Sequence, residues 1–101
     1  MLKSINKLRE MIIKGQIKRI FVADSWNKHF INTIKKEFDG LNIDIYVIKN
    51  SLRCVKGISF NDKDCIIFNE TVLNNYSEVS YYILQQANIN NSLIKVFTEG
   101  N

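Results

Sequence analysis

The amino-acid sequence predicts an α/β fold: a three-layer α/β/α sandwich around a mostly parallel, four-stranded sheet, with an additional helix at the amino terminus. Short runs rich in Ile, Val and Phe alternate with longer segments in which apolar residues recur every three or four positions, first over residues 17–48 and again over 65–97. Such strand–helix–strand units require parallel strands with helices packed against the sheet. The length, 101 residues, is typical of one domain. We therefore expect residues 1–101 to form a single α/β domain.

The first element is predicted to be an amphipathic helix. Ile5, Leu8 and Ile12 fall on one face at helical spacing. Ser4 is suited to the N-cap position and Gly15 to the position just after the helix, where a left-handed backbone is common. This helix is expected to cover part of the sheet.

Strand one is predicted over residues 17–23, and its apolar carboxyl half indicates a central strand that is buried on both faces. Asp24 or Ser25 would cap the following helix, because both side chains accept hydrogen bonds from helix N-termini. That helix is expected to reach about Phe38 and to end at residues 39–40, Asp-Gly.

Strand two, residues 43–48, alternates between apolar and polar side chains, which is typical of a partly exposed strand near a sheet edge. The segment 52–57 is expected to form one or two helical turns or an irregular crossover. A polar turn over residues 59–64 then leads into the third strand.

Strand three, residues 65–68, is entirely apolar and therefore central. The last helix should begin near Ser77 and end in the Asn-rich turn at 88–91, before strand four at 93–97. Right-handed crossovers then favour the sheet order 2-1-3-4. The expected core includes residues from both halves of the chain: Ile20, Val22, Ile34, Phe38, Ile66, Phe68, Ile83 and Val96.

Composition restricts the class of protein. The formal net charge of +4 favours an acidic partner such as nucleic acid, although a solvated basic surface explains the same excess. No apolar run approaches the roughly 20 residues of a membrane span, and the amino terminus does not resemble a secretory signal. The two cysteines, Cys54 and Cys65, have no metal-binding spacing, and Cys65 is expected to be a buried thiol. We expect a cytoplasmic protein that has no cofactor and no membrane partner; the bias to Ile, Asn and Lys suggests a bacterial or phage genome.

A basic cluster follows strand two. Lys49, Arg53 and Lys56 lie close together in the sequence, and Tyr46 precedes them. With Tyr46 adjacent, this cluster is suited to contacts with phosphates, whereas the alternative is a solvated rim. Trp26, at a loop–helix junction, is a second aromatic candidate for partner contact, or else a lid over the edge of the core.

An acidic corner is predicted where the first and third strands end. Asp24 and Glu70, with Thr98 nearby, would meet at the carboxyl edge of the sheet and offer oxygen ligands to a divalent cation. The alternative is that Asp24 only caps a helix and Glu70 is solvated, so no metal is predicted. The layout resembles response-regulator receiver domains, but Asn69 stands where a receiver needs its phospho-accepting Asp.

Residues 8–57 resemble the amino-terminal substrate-binding domain of SpoU-type ribosomal RNA methyltransferases, which has the ribosomal-protein-like, kink-turn RNA-binding fold. The likeness lies in the pattern at residues 15–23, Gly-Gln-Ile-Lys-Arg-Ile-Phe-Val-Ala, in the Lys-rich helix after it, and in Ile-Asp-Ile-Tyr-Val at 43–47. The resemblance implies RNA binding by a small α/β module without catalysis. The carboxyl half departs from the family, which has a closing strand where this chain has a long helix.

Three functions follow as hypotheses. The favoured one is a non-catalytic module that binds RNA or other nucleic acid. The second is a protein-interaction domain, such as a phage-encoded inhibitor or a regulatory partner. The weakest is a metal-assisted phosphoryl-transfer enzyme built on Asp24 and Glu70. The sequence does not determine an oligomeric state.

Overall fold

The computed structural model describes residues 3–23, 27–75 and 77–98. In chain order the elements are α1 (Lys3–Ile13), β1 (Arg19–Val22), α2 (Lys28–Glu37), β2 (Asp44–Val47), α3 (Leu52–Lys56), β3 (Asp64–Asn69), α4 (Glu70–Asn74), α5 (Glu78–Ile89) and β4 (Leu93–Phe97).

The four strands form one sheet in the order β2-β1-β3-β4, and every neighbouring pair is parallel. This confirms the predicted strand order. Strand β3 is buried along its whole length, as a central strand of uninterrupted apolar character requires, whereas β2 is an edge strand and is mostly exposed. The register places Arg19 of β1 beside Asp44 of β2 on one side and Asp64 of β3 on the other.

Helices cover both faces of the sheet, which confirms the three-layer architecture. On one face α1 and α2 pack on side chains that include Ile20, Val22, Cys65 and Ile67. On the other face α3 and α5 pack on Phe21, Ile66, Phe68 and their neighbours. Successive strand residues alternate between these two cores because side chains of a β-strand point to opposite faces.

Seven of the eight predicted core residues are buried, but the prediction for Val96 is wrong. Val96 is 45% exposed. It lies near the end of β4, which has a strand neighbour on one side only. An apolar run alone does not distinguish a central strand from the edge strand that closes a sheet.

Several predicted turns and caps are confirmed. Gly15 and Gly40 both have positive φ angles, 73° and 81°, after α1 and α2. Ser77 caps α5 by accepting a hydrogen bond from the backbone N–H of Ser80. However, α2 is capped by Asn27, three residues later than the earliest predicted cap, and Ser4 lies inside α1 rather than before it.

The short helix α4 was not predicted from the sequence. Asn69 is both the last residue of β3 and the N-cap of α4, since its side-chain oxygen accepts a hydrogen bond from the N–H of Thr71. Strand and helix therefore follow each other without a loop, so no turn signal separates them. In the described part of the chain, no helix has the length and apolar character that a membrane crossing requires.

Candidate nucleic-acid interface

The basic cluster lies on and before the short helix α3. Ser51, in an extended conformation, precedes this helix, and Val55 anchors it because its side chain is fully buried in the core shared with α5. With Val55 turned inward, Arg53 and Lys56 are exposed. Lys49, just beyond β2, is exposed as well. The local sequence thus places all three predicted cations at the surface.

These cations follow the length of α3 rather than gathering at one edge of the sheet. The helix begins beyond the carboxyl end of β2 and leads to residues 57–59, where the carbonyl oxygen of Ser59 accepts a 2.9 Å hydrogen bond from Arg19. Arg19 is the first residue of β1, at the amino edge. Of the three cations, Lys49 therefore lies nearest to the carboxyl edge, where Asn69 and Thr98 also lie, and Lys56 is the last residue of α3, next to the segment 57–59.

No ion pair among the described residues involves these cations. Within the described residues, the ion pairs join Arg9 to Glu37, Lys14 to Glu10 and Arg19 to Asp64. Lys56 instead lies over the ring of Tyr82, with its Nζ atom 5.9 Å from the ring centroid. The positive charge along α3 remains available to an external anion.

Tyr46 provides an exposed aromatic surface next to the segment that follows α3. The parallel register places it directly beside Phe21, and the two rings stack with centroids 5.2 Å apart and planes inclined by 22°. Phe60 in turn contacts Phe21 edge-on at 5.1 Å. These contacts fix the Tyr46 ring on the protein, and the residue remains 46% exposed.

A groove of about 400 Å³ runs beside Tyr46. Its walls are formed by β1 and β2 on one side and by the segment after α3 on the other. The lining residues are Arg19, Phe21, Tyr46, Val47, Gly57, Ile58 and Ser59. Most of this lining is apolar, and Lys56 immediately precedes it in the chain.

The structure also contains a buried ion pair that the sequence analysis missed. Asp64, which has no exposed surface, accepts hydrogen bonds from Nε and Nη2 of Arg19 at 2.6 and 2.7 Å and from the backbone N–H of Asn61 at 2.7 Å. These hydrogen bonds raise the pKa of the Arg19 guanidinium above its ordinary value. Arg19 also lies over the Phe21 ring at 5.0 Å. It therefore holds the amino ends of β1 and β3 together and is not a free cation.

A signal for this pair was present in the sequence. Arg19 precedes the apolar run of strand one, and Asp64 precedes that of strand three by the same offset. In adjacent parallel strands those two positions are neighbours, as the observed register shows. The predicted strand order, together with the equal position of Arg19 and Asp64 before their apolar runs, was therefore enough to predict that these two residues are neighbours.

A second, much smaller cleft lies at the carboxyl edge. It has a volume of only about 10 Å³ and lies between the ends of β1 and β2 and the first turns of α5. Lys49, Asn50 and Ser80 contribute its polar residues. A space of this size holds at most a water molecule, so this cleft is not a binding site for a larger ligand.

The predicted acidic corner is only partly described. Asp24 lies outside the described residues, while Glu70 is exposed at the start of α4 and Thr98 is exposed just after β4. Across residues 3–23, 27–75 and 77–98, no group of three or more His, Cys, Asp or Glu side chains is arranged to hold a metal ion. Beside Glu70, the side chain of Asn69 is buried, and its Nδ2 atom has no hydrogen-bond partner among the described residues.

The remaining candidates add little to this site. Trp26 also lies outside the described residues, and His29 is exposed on α2. Cys65 is buried as predicted, and burial raises the pKa of its thiol to about 12, so it is not a nucleophile near neutral pH. Cys54 is exposed on α3.

Comparisons with family models, with curated proteins and with solved structures gave no match to this chain. The resemblance to the SpoU-type substrate-binding domain accordingly stays a prediction from the sequence. Any functional argument for this protein rests on the geometry and charge of its own residues.

Proposed function

We propose that this chain is a non-catalytic binding module whose ligand is RNA or other nucleic acid. The observation that carries the proposal is the set of exposed cations on and just before α3, Lys49, Arg53 and Lys56, together with the partly exposed Tyr46 next to the segment that follows this helix. Phosphate groups give nucleic acids a dense negative charge, and Lys and Arg side chains bind them by displacing counterions.

The charge balance of the chain supports the same ligand class. The formal net charge is +4, and the exposed cations of α3 are not neutralised by ion pairs within the described residues. An exposed cation without an internal partner loses little when it binds phosphate, because no salt bridge has to be broken first. By contrast, Arg19 is held by Asp64 and is not expected to contribute.

The other two hypotheses receive less support. One contiguous exposed apolar patch would favour a protein-interaction domain, but the exposed large apolar side chains are distributed over α1, β2, α5 and β4. For the metal-assisted enzyme, Glu70 and Thr98 are both exposed and Glu70 begins a helix, which is an ordinary solvated position for an acidic residue.

A charge-matched pair of variants tests the proposal. Arg53→Gln/Lys56→Gln removes two cations from α3, and the control Lys28→Gln/Lys35→Gln removes two exposed cations from α2, in the opposite helical layer. Both double variants have the same formal net charge. Binding of a fluorescently labelled single-stranded RNA is measured by anisotropy at low salt.

We expect the α3 variant to weaken binding by roughly 10- to 60-fold at about 50 mM salt, because two phosphate contacts are lost, and we expect the α2 control to stay within about twofold of the wild type. Equal losses in both variants would mean that net charge rather than this surface drives binding. Absence of binding by the wild-type protein would overturn the proposal and favour a protein partner.

A further inference from the structure

Tyr46 has the features of a stacking platform. One face of its ring is covered by Phe21 at a centroid distance of 5.2 Å, and the residue is nevertheless 46% exposed. Tyr46 lines the adjoining groove together with Phe21, so part of its exposed area faces that groove. Because Phe60 supports Phe21 from its edge, the ring is held in place before any ligand arrives. A pre-positioned ring loses little conformational freedom when a flat partner stacks on it.

The adjoining groove is suited to a flat apolar group. Its floor includes Phe21, and its far wall is the segment 57–59. Several peptide groups of that wall are already engaged: the N–H groups of Gly57 and Ile58 donate to carbonyl oxygens of α3, and the carbonyl of Ser59 accepts from Arg19. The groove thus offers surface for stacking, and its polar side chains are those of Tyr46, Ser59 and Arg19, the last of which is already engaged by Asp64.

Two exposed cations precede the wall of this groove in the chain. Lys56 directly precedes Gly57 in its wall, and Arg53 lies one helical turn before Lys56. A ligand that places a flat ring beside Tyr46 and an anionic backbone along α3 satisfies both surfaces together. A single-stranded nucleic acid has this combination of unpaired bases and regularly spaced phosphates, and aromatic stacking with cationic grooves is how such strands are commonly bound.

We infer that the ligand is single-stranded nucleic acid and that one of its bases stacks on Tyr46 in this groove. The inference rests on the proposed function and adds the substrate class. A duplex does not fit the geometry, because its bases are paired and stacked inside the helix and are not free to enter the groove. Since every base has a flat face that can stack, binding is expected to show little sequence preference.

The test compares three oligonucleotides of equal length: a normal single strand, a strand in which abasic sites replace the central nucleotides, and the corresponding duplex. Abasic sites keep the phosphates and remove the bases. Each is titrated with wild-type protein, Tyr46→Leu and Tyr46→Phe, after circular dichroism has shown that the variants are folded. Leu at position 46 keeps an apolar side chain on β2 but has no ring, whereas Phe restores the ring.

We expect the wild-type protein to bind the normal strand about 5- to 100-fold more tightly than the abasic strand, the range that corresponds to one base stacked on an aromatic side chain. Tyr46→Leu is expected to abolish this discrimination and Tyr46→Phe to restore it. If the wild-type protein binds the abasic strand or the duplex as tightly as the normal strand, the inference that a base stacks on Tyr46 is wrong.

The two proposals fail in different ways. If Arg53→Gln/Lys56→Gln weakens binding but Tyr46→Leu leaves the discrimination unchanged, the nucleic-acid interface stands and the stacking inference falls. If none of the three oligonucleotides binds at low salt, both are overturned.

Discussion

The buried pair between Arg19 and Asp64 allows the most detailed prediction about stability. Replacing Arg19 with Met keeps most of the aliphatic stem but removes both hydrogen bonds to the Asp64 carboxylate. The carboxylate then stays fully buried, with the backbone N–H of Asn61 as the remaining donor from this cluster. Two hydrogen bonds to charged groups contribute about 3–6 kcal/mol to stability when both are buried. Because the Arg19 side chain is 31% exposed, water already screens part of this interaction, and we expect a loss of about 3 kcal/mol.

The assay is urea denaturation followed by far-ultraviolet circular dichroism. With a slope of about 1–1.5 kcal/mol per molar urea, typical of a small domain, the midpoint should fall by roughly 2 M. The double variant Arg19→Met/Asp64→Asn should be more stable than Arg19→Met alone, because a neutral amide tolerates burial without a partner better than a carboxylate does. Glu37→Gln, at the partly exposed pair with Arg9, serves as the control and should cost less than about 1 kcal/mol.

Two results would refute this reasoning. A loss below about 1 kcal/mol for Arg19→Met would place the pair in the class of solvent-screened surface bridges. A double variant less stable than the single one would mean that the buried charge is not the source of the cost.

Two further predictions concern the core. Ile66→Ala should lower the free energy of unfolding by about 2–5 kcal/mol, because Ile66 has no exposed surface and lies in the central strand β3. Val96→Ala, on the edge strand β4, should lower it by less than about 1 kcal/mol. Urea midpoints measure both losses, and equal losses would contradict the strand order. At about pH 8, iodoacetamide should label only Cys54 in the native protein and both cysteines after unfolding. The reason is that the thiolate is the reactive form and burial raises the pKa of Cys65 to about 12. Mass spectrometry counts the adducts, and labelling of Cys65 in the native protein would place it outside the core.

The fold follows from the sequence to an unusual degree because its signals are local. Residues 65–68 of β3 form an uninterrupted apolar run, so this strand had to be central, and the right-handed crossover rule then left few arrangements for its neighbours. Strand β4 begins and ends at the predicted residues. Burial was harder to predict at Val96, because its exposure depends on the absence of a strand neighbour beyond β4, which is a property of the whole sheet.

The candidate site was predictable in its residues but not in its shape. The cations and Tyr46 are visible in the sequence as a basic segment after a strand. The stack of Tyr46 on Phe21 depends on the register between β1 and β2, and the groove depends on the path of residues 57–59. The pair between Arg19 and Asp64 was missed for the same reason, because the two residues are 45 positions apart in the chain.

The salt dependence of RNA binding tests the central claim most directly. If two or three phosphates contact Lys49, Arg53 and Lys56, the logarithm of the association constant of the wild-type protein should fall with the logarithm of salt concentration at a slope of roughly −1.5 to −2. Arg53→Gln/Lys56→Gln should flatten this slope to about −0.7 or less in magnitude, similarly for RNAs of different sequence, while Lys28→Gln/Lys35→Gln leaves it unchanged. An unchanged slope in the α3 variant, or no binding of RNA at low salt, would contradict a nucleic-acid interface on this surface.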